Sequence, residues 1–185
     1  AGEPNSIFLE IFFKSLRIKK FKSPIILIAS QNLIKLQMEK LKINVKMKIL
    51  NLNKIDRYNL NNKVINLINV EYNPKKAFEK ISSKSNEYIK ESFEIALKLI
   101  NNKISNKLIN GPISKKSFLN NKFLGITEYL ANKSNVKDIA MLIYNENLSV
   151  STVTTHLPLK KVAKKINKNL IKNKIILINS FYKDK

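Results

Sequence analysis

Pro24-Ile25-Ile26-Leu27-Ile28-Ala29 is an apolar run of strand length with no polar residue at alternate positions. A strand with one solvated face would alternate, so this run predicts a strand covered on both faces, as in parallel sheets packed between helices. The flanking segments read as those helices. Upstream, Ile7, Phe8, Ile11, Phe12 and Leu16 recur at helical spacing, with Ser6 as the expected N-cap. Downstream, Ser30 stands ready to cap a helix whose apolar positions are Ile34, Met38 and Leu41.

The alternation of element types continues. Val45 to Leu50 alternates apolar residues with Lys and predicts a half-exposed strand; residues 51–62 read as polar loop, and Val64 to Val70 as the next strand. Ser85 is the expected cap of a long helix with Ile89, Phe93, Ala96, Leu97 and Ile100 on one face. Glu87, Glu91 and Glu94 in its first half suit a solvated face near a helix N-terminus better than a catalytic pair. Lys107 to Asn110 predicts a short strand, Ser114 the cap of a short helix, and Gly125 the start of another with Tyr129 and Leu130 inward. Ile139 to Tyr144 and Leu148 to Thr154 predict strands joined by a turn at Asn145-Glu146-Asn147, and helices are expected over Leu159 to Leu170 and Ile171 to Tyr182. The order is α/β with a local hairpin.

Composition excludes several functions. The 185 residues, 44% of them apolar, suffice for a proper core, so the chain is not disordered. With no Cys there are no disulfides, thiolate metal sites or cysteine nucleophiles. The longest apolar run is far below the roughly 20 residues of a membrane span, and no signal-peptide core is seen, so a cytoplasmic protein without membrane contact is expected. A formal charge of +22 would suit a basic nucleic-acid-binding module. However, the lysines are spread along every segment amid Asn and Ile, and only Arg17 and Arg57 offer guanidinium groups. This is the pattern of a compositional bias, so no nucleic-acid partner is expected, although such a charge would attract a phosphorylated substrate.

The single histidine, His156, stands where β-branched Val150, Thr152 and Val153, read as a buried strand, give way to Pro158 and a helix whose first turn that proline suits. Ligands bind at such junctions in open α/β sheets, and a lone His there is either a structural residue or a metal ligand. The three glycines, Gly2, Gly111 and Gly125, are so scarce that each is expected where a side chain would intrude. There is neither a G-x-G-x-x-G nor a P-loop motif, and one His without Cys cannot build a triad or a complete zinc site. Three loops are left: Gly2-Glu3-Pro4, Asn110-Gly111-Pro112 and Thr154-Thr155-His156-Leu157-Pro158.

In this order the loops resemble the 4-hydroxythreonine-4-phosphate dehydrogenases of pyridoxal phosphate biosynthesis. Gly2-Glu3-Pro4 matches the family's opening Gly-Asp/Glu-Pro loop, and Glu10 fits the acidic residue of its following helix. Asn110 to Lys115 looks like its Thr-Gly-Pro-Ile-x-Lys segment, and Gly125 to Tyr129 is similar to its Gly-His-Thr-Glu-Phe/Tyr segment. Lys137 to Leu142 is family-like, and Thr154 to Leu159 is identical to Thr-Thr-His-Leu-Pro-Leu.

The resemblance implies an α/β/α three-layer fold like that of isocitrate and isopropylmalate dehydrogenases, which bind NAD without a Rossmann fingerprint. It implies NAD-linked oxidation of a small phosphorylated amino-acid substrate, 4-phosphohydroxy-L-threonine, to a β-keto acid that decarboxylates to 3-amino-2-oxopropyl phosphate. It also implies a divalent metal (Zn, Mg or Co) on three histidines, of which His156 matches the first, a substrate contact at Thr127, and a homodimer when full length. The departures are Ile126 at the family's substrate-contacting His, and Ser6, Phe8 and Leu9 at positions often Gly or Pro. Family members are nearly twice as long, so the fold is expected to be incomplete, a fragment without the first strand and the C-terminal part. Residues 1–109 would be an incomplete first domain and 110–185 the start of a second, metal-binding and dimerisation domain. The isolated chain is expected to be inactive. A dehydrogenase of a related phosphorylated hydroxy acid, such as 4-phosphothreonate, would share every motif.

Overall fold

The computed structural model describes residues 2–183 and separates into two units, Ala1–Asn121 and Lys122–Lys185. The first unit is built on a parallel sheet. Strand β1 (Ile26–Ala29) lies along β3 (Ile65–Asn69), with Leu27 opposite Leu67, and β2 (Met47–Ile49) pairs with the other edge of β3, in the order β1-β3-β2. Consecutive residues Leu27, Ile28 and Ala29, and Ile65 through Ile68, are all buried. Side chains of a strand point alternately to opposite faces, so both faces of these two strands are covered, as the unbroken apolar run predicts. The half-exposed β2 forms an edge, where Lys48 discourages further strand pairing.

Helix α1 (Phe8–Ile18) packs on α2 (Gln31–Lys40), and α3 (Asn86–Asn101) packs on β1. Phe13, Leu33, Ile34, Leu67, Ile89 and Phe93 fill the core between them. On α3 the buried face runs through Tyr88, Ile89, Ser92, Phe93, Ala96 and Leu99, one step round from the expected Leu97 and Ile100, which are half-buried. The Ser30 hydroxyl accepts from the Leu33 N–H, as expected of a cap, and donates to the Tyr72 carbonyl at 2.6 Å.

In the second unit α4 (Ile126–Lys133) precedes an antiparallel hairpin of β4 (Leu142–Ile143) and β5 (Val150–Ser151), followed by α5 (Leu159–Lys165) and α6 (Lys168–Lys183). Gly125 and Tyr129 are its buried residues among those described, and the Phe123 ring meets Tyr129 edge-on at 5.4 Å.

Several local expectations are corrected. Ile7, not Ser6, occupies the cap position of α1, because Ser6 sits one residue too early; its hydroxyl accepts from the Phe8 N–H and donates to the Glu3 carbonyl. The Ser85 side chain does not cap α3, being engaged with Glu3. Residues 51–62 include a 3₁₀ segment, Leu52–Arg57, anchored by buried Ile55. Lys107 to Asn110 is no strand: it has no neighbour to pair with, and Ile109 is exposed. The hairpin turn is as expected, but each strand keeps two residues, since Ser149 and Asn145 bond across the turn and occupy the backbone there. Val150 is half exposed rather than buried, and Thr152 and Val153 lie outside any strand. Pro158 precedes α5 as its cap residue instead of entering its first turn. The last two helices divide at Ile166, where the backbone is extended, and the Asn167 carboxamide accepts from the Leu170 N–H to start α6.

Phe93 is fully enclosed, so Phe93→Ala is expected to lower stability by about 3–5 kcal/mol in urea unfolding. A Cβ at Gly111 would lie 2.4 Å from the Phe8 ring. Gly111→Ala is therefore expected to cost about 1–3 kcal/mol, and Phe8→Ala in the same chain to recover only part of it, since the Cβ of residue 8 would still lie 2.7 Å from the new methyl. Simple additivity of the two losses would contradict this contact.

Candidate functional site

The first unit brings two of the three motif loops together. The Glu3 N–H donates to the Pro112 carbonyl at 2.9 Å, and a Cβ on Gly2 would lie 3.1 Å from the Gly111 Cα. Both glycines are therefore required by close packing, not by left-handed backbone. Glu3 itself is 2% exposed, and its carboxylate accepts from the Ser85 hydroxyl at 3.0 and 3.2 Å. Burial raises the pKa of this carboxyl, against the lowering effect of Ser85 and the Asn5 N–H. The Gln37 carboxamide donates to the Pro4 carbonyl at 2.8 Å, fixing the loop from α2. Tyr72, whose ring packs on Tyr88 and whose hydroxyl accepts from Asn5, and Tyr88 both have raised pKa values through burial. Thus Glu3 is a clamp between chain segments. Glu10, the second acidic residue of this region, pairs with Lys14 at 2.6 Å on the helix surface.

The second unit brings the remaining loop, Thr154 to Pro158, beside the Gly125 to Tyr129 segment. Gly125 leads into α4, whose first turn presents Thr127 and Glu128, while His156 lies between β5 and α5 with a left-handed φ of 57°. Such a backbone is uncommon for a residue with a Cβ and costs on the order of 1 kcal/mol. His156 Nε2 stands 3.6 Å from Glu128 Oε1, and both side chains are partly exposed. The other carboxylate oxygen, Oε2, is buried without a hydrogen-bond partner. A Cβ on Gly125 would lie 2.9 Å from that oxygen, so glycine is what allows the carboxylate to approach. Beside the pair, Thr127, Glu128, Thr152, Thr155 and Lys174 line a shallow pocket, with Ile139 and Met141 as apolar wall. Lys174 Nζ donates to the Ile139 carbonyl, which ties α6 to the pocket.

Both site residues expected from sequence, His156 and Thr127, thus belong to one neighbourhood within the second unit. Glu128 and Lys174 join them. Glu128 was visible inside the Gly-Ile-Thr-Glu segment, whereas Lys174 is one of many lysines and carries no local signal. Ile126, half-buried at the start of α4, contributes no donor.

The side chains here that could hold a divalent ion are His156, through Nε2, and Glu128, through its carboxylate. Among the described residues no group of three or more His, Cys, Asp or Glu converges, so this chain does not by itself assemble a three-ligand site.

Known proteins resemble this chain over most of its length. The family described as "Pyridoxal phosphate biosynthetic protein PdxA" matches residues 20–185. A 4-hydroxythreonine-4-phosphate dehydrogenase of Sulfurihydrogenibium sp. (strain YO3AOP1) is 40% identical over 94 residues, which are 50% of this chain and 29% of the relative. That of Hydrogenobaculum sp. (strain Y04AAS1) is 49% identical over 59 residues, 32% of this chain and 19% of the relative. A structure titled as a putative 4-hydroxythreonine-4-phosphate dehydrogenase from Salmonella typhimurium superimposes with a TM-score of 0.83 at 21% identity, covering 98% of this chain and 58% of that one. The Klebsiella pneumoniae 4-hydroxythreonine-4-phosphate dehydrogenase gives 0.80 at 20% identity, covering 98% and 56%. At these identities the structures establish the α/β fold, and the chain spans little more than half of their length. The match over residues 20–185 places this chain in the family of the pyridoxal phosphate biosynthetic protein PdxA.

Proposed function

We propose that this protein takes part in the NAD-dependent oxidation of 4-phosphohydroxy-L-threonine to a β-keto acid that decarboxylates to 3-amino-2-oxopropyl phosphate, in pyridoxal 5'-phosphate biosynthesis. The observation that carries the reading is the joining of the Gly-Ile-Thr-Glu and Thr-Thr-His segments, with His156 beside Glu128 and Thr127 on the adjoining pocket. A divalent ion, when bound, supplies charge stabilisation for the hydroxyl that is oxidised. His156 offers an imidazole lone pair to that ion, and in a three-histidine set the other two would come from outside these 185 residues, which hold one histidine. The Thr127 hydroxyl donates to the phosphate-bearing end of the substrate. The excess of Lys draws the phosphorylated anion toward the site, as a long-range and salt-sensitive effect.

In this reading residues 1–109 belong to the first α/β domain and 110–185 to the second, metal-binding and dimerisation domain of a homodimer. The many exposed apolar residues of α6, including Ile175, Ile176 and Phe181, suit a surface covered by further protein. One feature favours a second reading, oxidation of a related phosphorylated hydroxy acid such as 4-phosphothreonate: Ile126 stands where the family's substrate-contacting histidine would be, so recognition at that end differs.

In the complete protein, His156→Ala is expected to lower kcat by about 100-fold or more with loss of bound metal, followed by NADH absorbance and metal analysis. Thr127→Val is expected to raise KM by about tenfold, the value of a charge-assisted hydrogen bond. The 185-residue chain alone is expected to form no NADH. Wild-type activity in His156→Ala would refute the metal reading, and turnover by the isolated chain would refute the need for ligands from outside it.

A further inference from the structure

We infer that Glu3 stands in the folded protein as a neutral carboxylic acid that donates its proton to Ser85 Oγ, and that this proton latches the Gly2-Glu3-Pro4 loop to the start of α3. The inference concerns the first unit and is independent of the metal reading of His156.

The count of protons is the first support. Ser85 Oγ lies 3.0 and 3.2 Å from the two Glu3 oxygens and 3.0 Å from the Ser82 carbonyl. A hydroxyl carries one proton and cannot serve three acceptors, and the same distances suit a proton running from Glu3 to Ser85. If Glu3 is ionised and takes the Ser85 proton, the Ser82 carbonyl keeps only the Ser85 N–H, at a long 3.4 Å. If Glu3 is neutral, its O–H donates to Ser85 Oγ, the Ser85 hydroxyl donates to Ser82, and the Asn5 N–H still finds a Glu3 oxygen. Every one of these groups is then satisfied. The second support is the missing countercharge. Glu3 is 2% exposed, and among the described residues no Lys, Arg or His pairs with it; Lys84, next to Ser85 in sequence, is exposed. The ionisable groups around it are Tyr72 and Tyr88, both kept uncharged by burial, and Glu79 beyond Tyr72, so none supplies a positive charge. A carboxyl taken out of water without a cation keeps its proton. The third support is position. Gln37 holds Pro4, Tyr72 and the Glu79 N–H hold Asn5, and the Pro112 carbonyl holds the Glu3 N–H. The Glu3 carboxyl is thus the anchor of this loop that changes charge between acid and neutral pH, and it lies where the first two motif loops meet. Ionisation puts an unpaired buried charge there, and the loop opens to hydrate it.

The test reads amide exchange at residue 3 in the complete protein, because the N–H bonded to the Pro112 carbonyl reports opening of this junction directly. The comparison is Glu3→Gln, whose carboxamide donates to Ser85 Oγ as the neutral acid does and cannot ionise. Corrected for intrinsic exchange, the opening constant of the wild type is expected to rise relative to that of the variant by up to about tenfold per pH unit once the pH exceeds the ordinary carboxyl value of 4.5. The sign decides. A carboxyl bonded as the anion would make opening rarer relative to the variant as pH rises toward 4.5, and that result, or a ratio that does not change with pH, overturns the inference. Should Glu3→Gln fail to fold, the ¹³C resonance of the Glu3 carboxyl in the wild type carries the test. A protonated resonance that persists above pH 4.5 is the expected result, and a titration midpoint at or below 4.5 overturns the inference.

Discussion

Burial of β1 and β3 on both faces is the constraint from which the first unit follows. Every side chain from Leu27 to Ala29 and from Ile65 to Ile68 must find a covered place, so helices are required on the sheet and polar chemistry is driven to its ends. Even polar Asn66, buried inside β3, is retained by bonding its carboxamide to the Ile25 and Asn61 carbonyls at the other strand's approach. At the opposite end, Ser30, Asn69 and Tyr72 bind the helix start and the loops beyond the strands. There Glu3, taken out of water, is held by Ser85 and by the backbone of its own loop.

Burial of Glu3 also couples the first unit to pH. The folded carboxyl has a pKa above its ordinary value of 4.5, so protonated Glu3 is favoured in the folded state. Below 4.5 both states carry the proton and this group has no effect; as pH rises from 4.5 to the folded value the unfolded chain releases its proton first and stability falls, and above the folded value the loss is complete. Such a residue is a poor candidate for an ionised catalytic group and a good one for a hinge-less clamp. The second unit is different in kind: it buries little, and its cohesion lies in the hairpin, in the Tyr129–Phe123 contact and in Lys174.

The strands of the parallel sheet, the Ser30 cap and helices α1 to α4 were legible because each depends on local periodicity, whereas the break between α5 and α6 at Ile166 was not. What was not legible depends on distant partners. Lys107 to Asn110 has strand-like residues but no neighbouring strand, and Val150 to Val153 has β-branched residues without a layer to cover them. Ser6 and Ser85 look like caps, yet each hydroxyl is used by a contact in the loop region around Glu3, which sequence spacing does not show. In the site, the motifs named His156 and Thr127, but the approach of Glu128 to His156 comes from a left-handed backbone at residue 156 and a missing Cβ at Gly125. The scarcity of glycine was the one signal for that, and it pointed to close packing at all three positions.

The central claim is that His156 binds a divalent ion in a dehydrogenase site. Anomalous diffraction at the zinc edge from crystals of the complete protein grown with Zn²⁺ tests it most directly. A peak about 2.0–2.1 Å from a ring nitrogen of His156 is the expected result. A fully occupied zinc position elsewhere, with His156 unliganded, would contradict the claim and leave the family relationship as a matter of fold and descent alone.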